Sequence, residues 1–328
     1  MKRKKVLIIK FHAIGDVVHS TVIPYVIKQK HPECEIHFLT SAGNAVLLSN
    51  CPYIDKTLEY KNDKIKTLKQ LFKERYDTII SLNYTLTNYL LTFLSFPKQI
   101  FFRSYKGTSW VENYFYTAKK VFKDVELPDR LHFESKNSKT KSYIADKINT
   151  YPRPYTIINP GKLKDNPRQG RTWNINNWKT LAKNILNQYG GTVFVTGNKK
   201  EQEYHNKLND NNIVVLSGLF SLEESCSVLS MADLVISGDS GPIHIASAFN
   251  VKTLAILGST SPEKIKPYGK NGYFIGPKNN CKYCWKKKCP YIRSDNEYAP
   301  CMESITPQIV MDKISSCNLL KTNIDHAA

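Results

Sequence analysis

No apolar run in the 328-residue chain approaches the ~20 residues that a membrane-spanning helix requires. The longest, such as Val6-Leu7-Ile8-Ile9 and Leu254-Ala255-Ile256-Leu257, are far shorter, so the sequence does not read as spanning a bilayer. A secretory leader is missing too: the basic start is followed by an apolar stretch that Lys10 and His12 interrupt, with no small-residue cleavage site after it. That start reads instead as a buried first strand of a cytoplasmic protein, whose eight cysteines stay reduced. Acidic residues are scarce, 28 Asp+Glu against 47 Lys+Arg, for a net charge of +19. Residues 1–152 carry 25 bases and 14 acids (25 − 14 = +11), and residues 153–328 carry 22 and 14 (22 − 14 = +8). Such an excess fits nucleic acid, an anionic membrane surface, a negatively charged small substrate, or simply a lysine-rich solvated surface. RGG tracts, zinc-finger helices and aromatic-basic ribonucleoprotein motifs are all absent, which removes the familiar nucleic-acid signatures. G-x-G-x-x-G, D-x-D and any repeat of fixed period are absent as well.

What is present is a globular composition, 41% hydrophobic and 11% aromatic, which excludes whole-chain disorder. The length predicts two domains. Short β-rich runs at 6–11, 35–40, 56–60, 77–82 and 99–103 alternate with helix-like stretches at 17–30, 43–49, 64–75 and 85–95. The second half repeats the pattern, with strands at 155–159, 192–196, 213–217, 234–237, 253–257 and 273–276. Helices are expected there at 176–189, 199–208, 221–231 and 242–249. Strands of this length separated by helices indicate βαβ units and parallel sheets. The fold class expected is therefore α/β, with two doubly wound Rossmann-like domains, 1–152 and 153–328, facing across a cleft. The break is placed at Pro152 and Pro154, which disfavour a continuing helix, and 130–143 reads as a polar loop.

Four segments carry chemistry. After the first strand comes Gly15-Asp16-Val17-Val18-His19-Ser20, where Asp16 either caps the following helix or acts as a general base toward an acceptor hydroxyl. The second is Ser237-Gly238-Asp239-Ser240-Gly241-Pro242-Ile243-His244. There, backbone N–H groups at 240–242 would hold a phosphate or a sugar hydroxyl while Asp239 accepts from hydroxyls, and His244 either joins them or packs on the helix. The third is Asn159-Pro160-Gly161-Lys162 with Arg168, Arg171 and Trp173, whose charges suit a diphosphate or are merely solvated. The fourth is Thr196-Gly197-Asn198-Lys199-Lys200-Glu201, in which Glu201 either bonds ribose hydroxyls or caps a helix.

As an ordered set, G-D-V-V-H-S at 15–20, N-P-G before a basic-Trp segment, G-x-x-x-E ending at 201, G-D-S-G-P-I-H-I-A-S-A at 238–248 and L-G-S-T-S-P at 257–262 resemble the family 9 glycosyltransferases, the ADP-heptose:lipopolysaccharide heptosyltransferases, over nearly the whole chain. The resemblance implies a GT-B fold and inverting transfer of heptose from ADP-heptose to a lipid A-core glycolipid, with no metal or other cofactor required. The N-terminal domain would bind acceptor and the C-terminal domain the nucleotide sugar. It assigns Asp16 as base, with Gly15 and His19 at the acceptor loop. Donor contacts fall on Lys162, Arg171, Glu201, Asp239, Ser240, Gly241, Pro242 and His244. One departure is Arg171, where the family usually places Lys. It keeps the charge but changes its geometry. The alternatives are a family 9 enzyme with another nucleotide-sugar donor or surface-glycan acceptor, and a noncatalytic nucleic-acid-binding protein. The enzyme reading expects no nucleic-acid partner. It expects a cytoplasmic protein peripheral on the inner face of the inner membrane, held by lysines including Lys64, Lys66, Lys69 and Lys73.

Cys281, Cys284, Cys289 and Cys301 lie close together near the C-terminal end. Their spacing admits a structural zinc, reduced thiols in a packed loop, or a disulfide. Cys34, Cys51, Cys226 and Cys317 read as small buried hydrophobes.

Overall fold

The computed structural model describes residues 4–321 apart from 50, 62, 83–97, 134–137, 162–168, 279, 282, 287–288 and 293–297. The expected helix at 85–95 and the loop cations Lys162 and Arg168 lie outside the described residues. The chain divides into two compact units, Met1–Ser138 and Lys139–Ala328.

In the first unit, β1 (Lys5–Ile9), β2 (Glu35–Ser41), β3 (Lys56–Tyr60), β4 (Thr78–Ser81) and β5 (Lys98–Phe101) form one parallel sheet in the order β3-β2-β1-β4-β5. Residues 6–9 of β1 are fully buried, as expected of a central strand covered on both faces. Its helices include α1 (Ile14–Ser20), α2 (Val22–Lys30), α3 (Ala42–Leu48), α4 (Lys64–Glu74) and α5 (Trp110–Lys119). The single helix expected over 17–30 is two, broken at Thr21. Pro24 has no N–H to offer the Ser20 carbonyl, and the Ser20 and Thr21 hydroxyls each donate back to a carbonyl three residues earlier. α5 was not anticipated. It is aromatic-rich, but Ser109 and Glu112 close a capping box at its start.

The second unit opens within α6 (Ser138–Ile148), which replaces the C-terminal part of the loop expected at 130–143. It belongs with this unit because Tyr155 donates to the carbonyls of Ile148 and Tyr151, so the observed division falls ahead of the expected one at 152/153. The strands β6 (Tyr155–Asn159), β7 (Thr192–Val195), β8 (Ile213–Val215), β9 (Leu234–Ser237), β10 (Lys252–Ile256) and β11 (Gly272–Ile275) form a parallel sheet ordered β11-β10-β9-β6-β7-β8. Around it lie α7 (Ile175–Tyr189), α8 (Gln202–His205), α9 (Leu222–Ser230), α10 (Gly241–Ala248), α11 (Pro262–Ile265), α12 (Pro300–Glu303) and α13 (Pro307–Ser316). The amphipathic α7 turns Trp178, Leu181, Ala182 and Ile185 into a core shared with β7, β9 and α13. Each sheet reverses its winding once, between β1 and β4 and between β6 and β9. Ligands of doubly wound sheets bind beyond the carboxyl ends of the strands at such switch points.

Candidate functional site

In the first unit the chain leaves the carboxyl end of β1 through Lys10, which is almost fully buried, and enters α1. Phe11 is pinned where it turns: its carbonyl accepts from Ser41 Oγ and Asn44 Nδ2 at 2.9 and 2.8 Å. The N-cap of α1 is Ala13, so Asp16 falls in the first helical turn and does not cap the helix. Its carboxylate instead takes the Lys10 ammonium at 3.0 Å, while remaining about one-third exposed itself. Tyr114 of α5 lies beneath the same ammonium, 5.5 Å from ring centroid to Nζ. Burial, reinforced by the Asp16 charge, raises the Tyr114 hydroxyl well above its ordinary range, so it stays protonated. Gly15 and His19, expected at an acceptor loop, are both buried inside α1, because the helix has already begun at Ile14. Lys10 escaped the sequence reading. Its only signal was a cation closing an apolar strand shortly before an acid.

In the second unit the carboxyl ends of β6, β7 and β9 are joined by side chains. Asn159 Nδ2 donates to the Thr196 carbonyl at 2.7 Å, Ser237 Oγ donates to the Asn159 carbonyl at 3.2 Å, and the Ser237 and Ser240 hydroxyls share a 2.6 Å hydrogen bond. This framework sets the N-terminus of α10, where Ser240, Gly241 and Pro242 make the first turn. Pro242 carries no N–H, so the donors offered there are those of Ser240, Gly241 and Ile243, which corrects the expected trio at 240–242.

Asp239 stands beside that turn with its side chain 13% exposed, and Arg171 Nη2 reaches its Oδ2 at 2.7 Å. The buried His244 lies on the other side, its Nε2 3.9 Å from Oδ1. Burial opposes ionisation of Asp239. The neighbouring His244 imidazole and the Arg171 charge outweigh it and hold the carboxyl below its ordinary value. Arg171 keeps 43% of its side chain exposed, so guanidinium N–H groups remain available to an incoming anion.

Arg171 is held by its neighbours. Gly170 has φ +67, and a Cβ there would meet Cys301 Sγ at 2.6 Å and Ser259 Cβ at 3.2 Å. Its carbonyl accepts from the Ser259 N–H at 2.8 Å. Trp173, read as part of the basic loop, is a core residue. Its indole N–H donates to the Ile305 carbonyl at 2.7 Å, and its ring meets Trp178 edge-on.

Glu201 is buried, and its Oε2 accepts from the Asn198 N–H at 2.8 Å, which closes the turn after β7 without capping α8. Behind it His205, also missed, receives or gives hydrogen bonds at Ser217 Oγ (2.7 Å) and at the Gly161 carbonyl (3.1 Å). The latter contact requires Nε2 to be the donor. Burial lowers the His205 pKa, so the imidazole is neutral and ties the loops after β6 and β8 together.

The four clustered cysteines line one cavity of about 670 Å³ with Gln169, Gly170 and Ser259. All eight cysteines of the chain are free thiols, so no disulfide closes this loop. Among the described residues no three His, Cys, Asp or Glu side chains gather as a metal site would require. The Cys301 thiol is pushed up to about 12 by burial and by the neighbouring thiols of Cys281, Cys289 and Cys284. Cys301 packs as an apolar group, while Cys281 and Cys289 are half-buried and Cys284 is exposed, so the four thiols expected to hold a zinc are not gathered around one position. Cys34, Cys51 and Cys226 are buried as expected, whereas Cys317 is half-buried against the core.

Residues 65–293 match the family described as glycosyltransferase family 9 (heptosyltransferase). The chain belongs to glycosyltransferase family 9. It is accordingly a glycosyltransferase. It is 25% identical to lipooligosaccharide heptosyltransferase 2 of Campylobacter jejuni, across 94% of this chain and 96% of that one. Among solved structures it resembles the ADP-heptose lps heptosyltransferase II of E. coli, with a TM-score of 0.77 and 21% identity over 99% of this chain and 100% of the other. It also resembles the E. coli heptosyltransferase WaaC with ADP-2-deoxy-2-fluoro heptose, with a TM-score of 0.70 and 17% identity over 95% and 99%. These likenesses establish the GT-B fold of a family 9 chain. The family match takes in β9 and α10 but begins after β1, so it does not reach Asp16.

Proposed function

We propose that this family 9 enzyme transfers heptose from ADP-heptose to the inner core of a lipopolysaccharide or lipooligosaccharide, by inverting displacement and without a catalytic metal. The observation that carries the reading is the Arg171–Asp239 pair beside the open N-terminus of α10, at the switch point of the second sheet. The relatives named above are heptosyltransferases, and one neighbour holds an ADP-heptose analogue.

The acceptor hydroxyl attacks the anomeric carbon as the bond from that carbon to the diphosphate oxygen breaks. Asp16 takes the hydroxyl proton, and the leaving ADP carries away the electron pair with the developing negative charge. Arg171 and the N–H groups of Ser240, Gly241 and Ile243 receive that charge. They are already oriented, so little reorganisation is required as it develops. Asp239 holds Arg171 in position and accepts from sugar hydroxyls, with His244 steadying its second oxygen. Glu201 serves the ribose. On this reading the first unit binds acceptor and the second binds donor, with Lys162 as an additional cation toward the diphosphate.

Calorimetric titration with ADP-heptose, UDP-sugars and GDP-sugars tests it. ADP-heptose should bind, and Arg171→Ala should weaken it about tenfold or more, the scale of a lost charge-assisted hydrogen bond. Preference for a UDP- or GDP-sugar overturns the heptosyl assignment and leaves the family standing.

A further inference from the structure

α4 has two faces that its place in the first sheet only half explains. Leu71 and Thr67 turn inward, and Leu68 packs partly against the core of β1, β2 and β4. On the outer side Ile65 is 68% exposed and Phe72 is 64% exposed. They are seven residues apart, two turns of helix, so the two side chains lie on one line beside Leu68. Lys64, Lys66, Lys69 and Lys73 are all exposed along the same helix. The helix carries one acid, Glu74. It is engaged elsewhere, by Lys5 at 2.7 Å and by Lys56 at 2.6 Å. Asp63, at the N-cap, is spent on the Lys66 N–H.

An exposed phenylalanine and isoleucine ridge edged by lysines is the pattern of a helix that lies in a lipid interface. The apolar residues enter the acyl boundary, and the lysine stems reach out to anionic headgroups. From it we infer that α4 docks the enzyme on an anionic phospholipid bilayer through Ile65 and Phe72, with Lys66, Lys69 and Lys73 on the headgroups. A second copy of the chain fits this face poorly, since a twofold contact would set lysines against lysines. The inference does not depend on which sugar is transferred.

Flotation of the full chain with phosphatidylglycerol-containing vesicles, against pure phosphatidylcholine vesicles, provides the test. The protein should float with the anionic vesicles alone and be released by high salt. Ile65→Ser/Phe72→Ser, and separately Lys66→Gln/Lys69→Gln/Lys73→Gln, should each reduce the bound fraction about tenfold or more at limiting lipid. Leu219→Ser, which removes an exposed leucine outside α4, should not. Circular dichroism and nucleotide binding show that the variants are folded. The inference is overturned by absence of binding, by equal binding to neutral vesicles, by variants that float like the parent, or by an equal loss in Leu219→Ser. It is also overturned if the α4 variants instead abolish self-association in solution. A failure here leaves donor binding intact, so it is distinguishable from a failure of the heptosyl reading.

Discussion

A buried ammonium requires an anion, and Lys10 has Asp16. The pairing holds the carboxylate in a fixed place beyond the end of β1, where it neutralises Lys10 and, in the proposed mechanism, also receives a proton. Asp16→Asn should therefore abolish transfer while donor binding, which rests on residues of the second unit, is retained. It should also destabilise the fold by about 1–3 kcal/mol, because Lys10 is left without its partner. Urea denaturation measures that loss. Adding Lys10→Met to Asp16→Asn should recover most of the stability and none of the transfer. A double variant that regained activity would remove Asp16 from the mechanism. Of this arrangement the sequence showed the acid and its place after a strand. It did not show the lysine's burial, since nothing in residues 5–11 says that Lys10 points inward. Nor did it show that the capping position had already gone to Ala13.

Among the elements, strands were the most legible, because short apolar runs buried almost throughout, as in β1, β4, β6, β7 and β9, leave little else to read. Helices were legible where their pattern was amphipathic, as in α7, and failed where it was not. α5 presents aromatics on most sides, and α6 buries only Ile144 and Ile148. The ordered motifs of the second unit were readable from the chain. Their partners were not, because Arg171 meets Asp239 and His205 meets Gly161 across tens of residues. The loop before α7 shows how an element positions charge. A side chain at Gly170 would combine a left-handed backbone with a collision against Cys301 and Ser259. Gly170→Ala should thus lower donor affinity, with the loss seen by calorimetry, even though residue 170 itself offers no group to the ligand. Unaltered affinity would mean that Arg171 finds its place without this support.

At the scale of the whole molecule, the residues proposed for function lie beyond the carboxyl ends of strands, while a stabilising ion-pair cluster sits at the amino end of β1. Carboxyl ends carry Asp16, Asn159 and Asp239. The amino end of β1 carries Lys5, which binds Glu74 and Glu35, while Glu74 also takes Lys56. Hydrogen bonds from Lys5 and Lys56 lower the Glu74 carboxyl to about 2, from an ordinary value near 4.5. A carboxyl depressed on folding contributes stability that is complete above its unfolded value and disappears as pH falls through the folded one. Stability of the first unit should accordingly decline between about pH 4.5 and 2, and Glu74→Gln should flatten that part of the profile in urea melts taken across pH. The +19 charge is divided in the same spirit, with Arg171 on Asp239 at the proposed donor site, Lys5 and Lys56 on Glu74, and the lysines of α4 facing outward.

The indole of Trp173 ties the donor segment to the carbonyl of Ile305, immediately ahead of α13. Only Thr172 lies between Trp173 and Arg171, so the cation proposed to meet the diphosphate is moored to a stretch of chain synthesised more than a hundred residues later. A nascent or clipped polypeptide ending before Ile305 would contain every donor-site residue and still leave the arginine adrift. Nucleotide affinity should therefore report on completion of the C-terminal end, and truncation ahead of Ile305 should be read out as lost ADP binding before the second sheet itself unfolds.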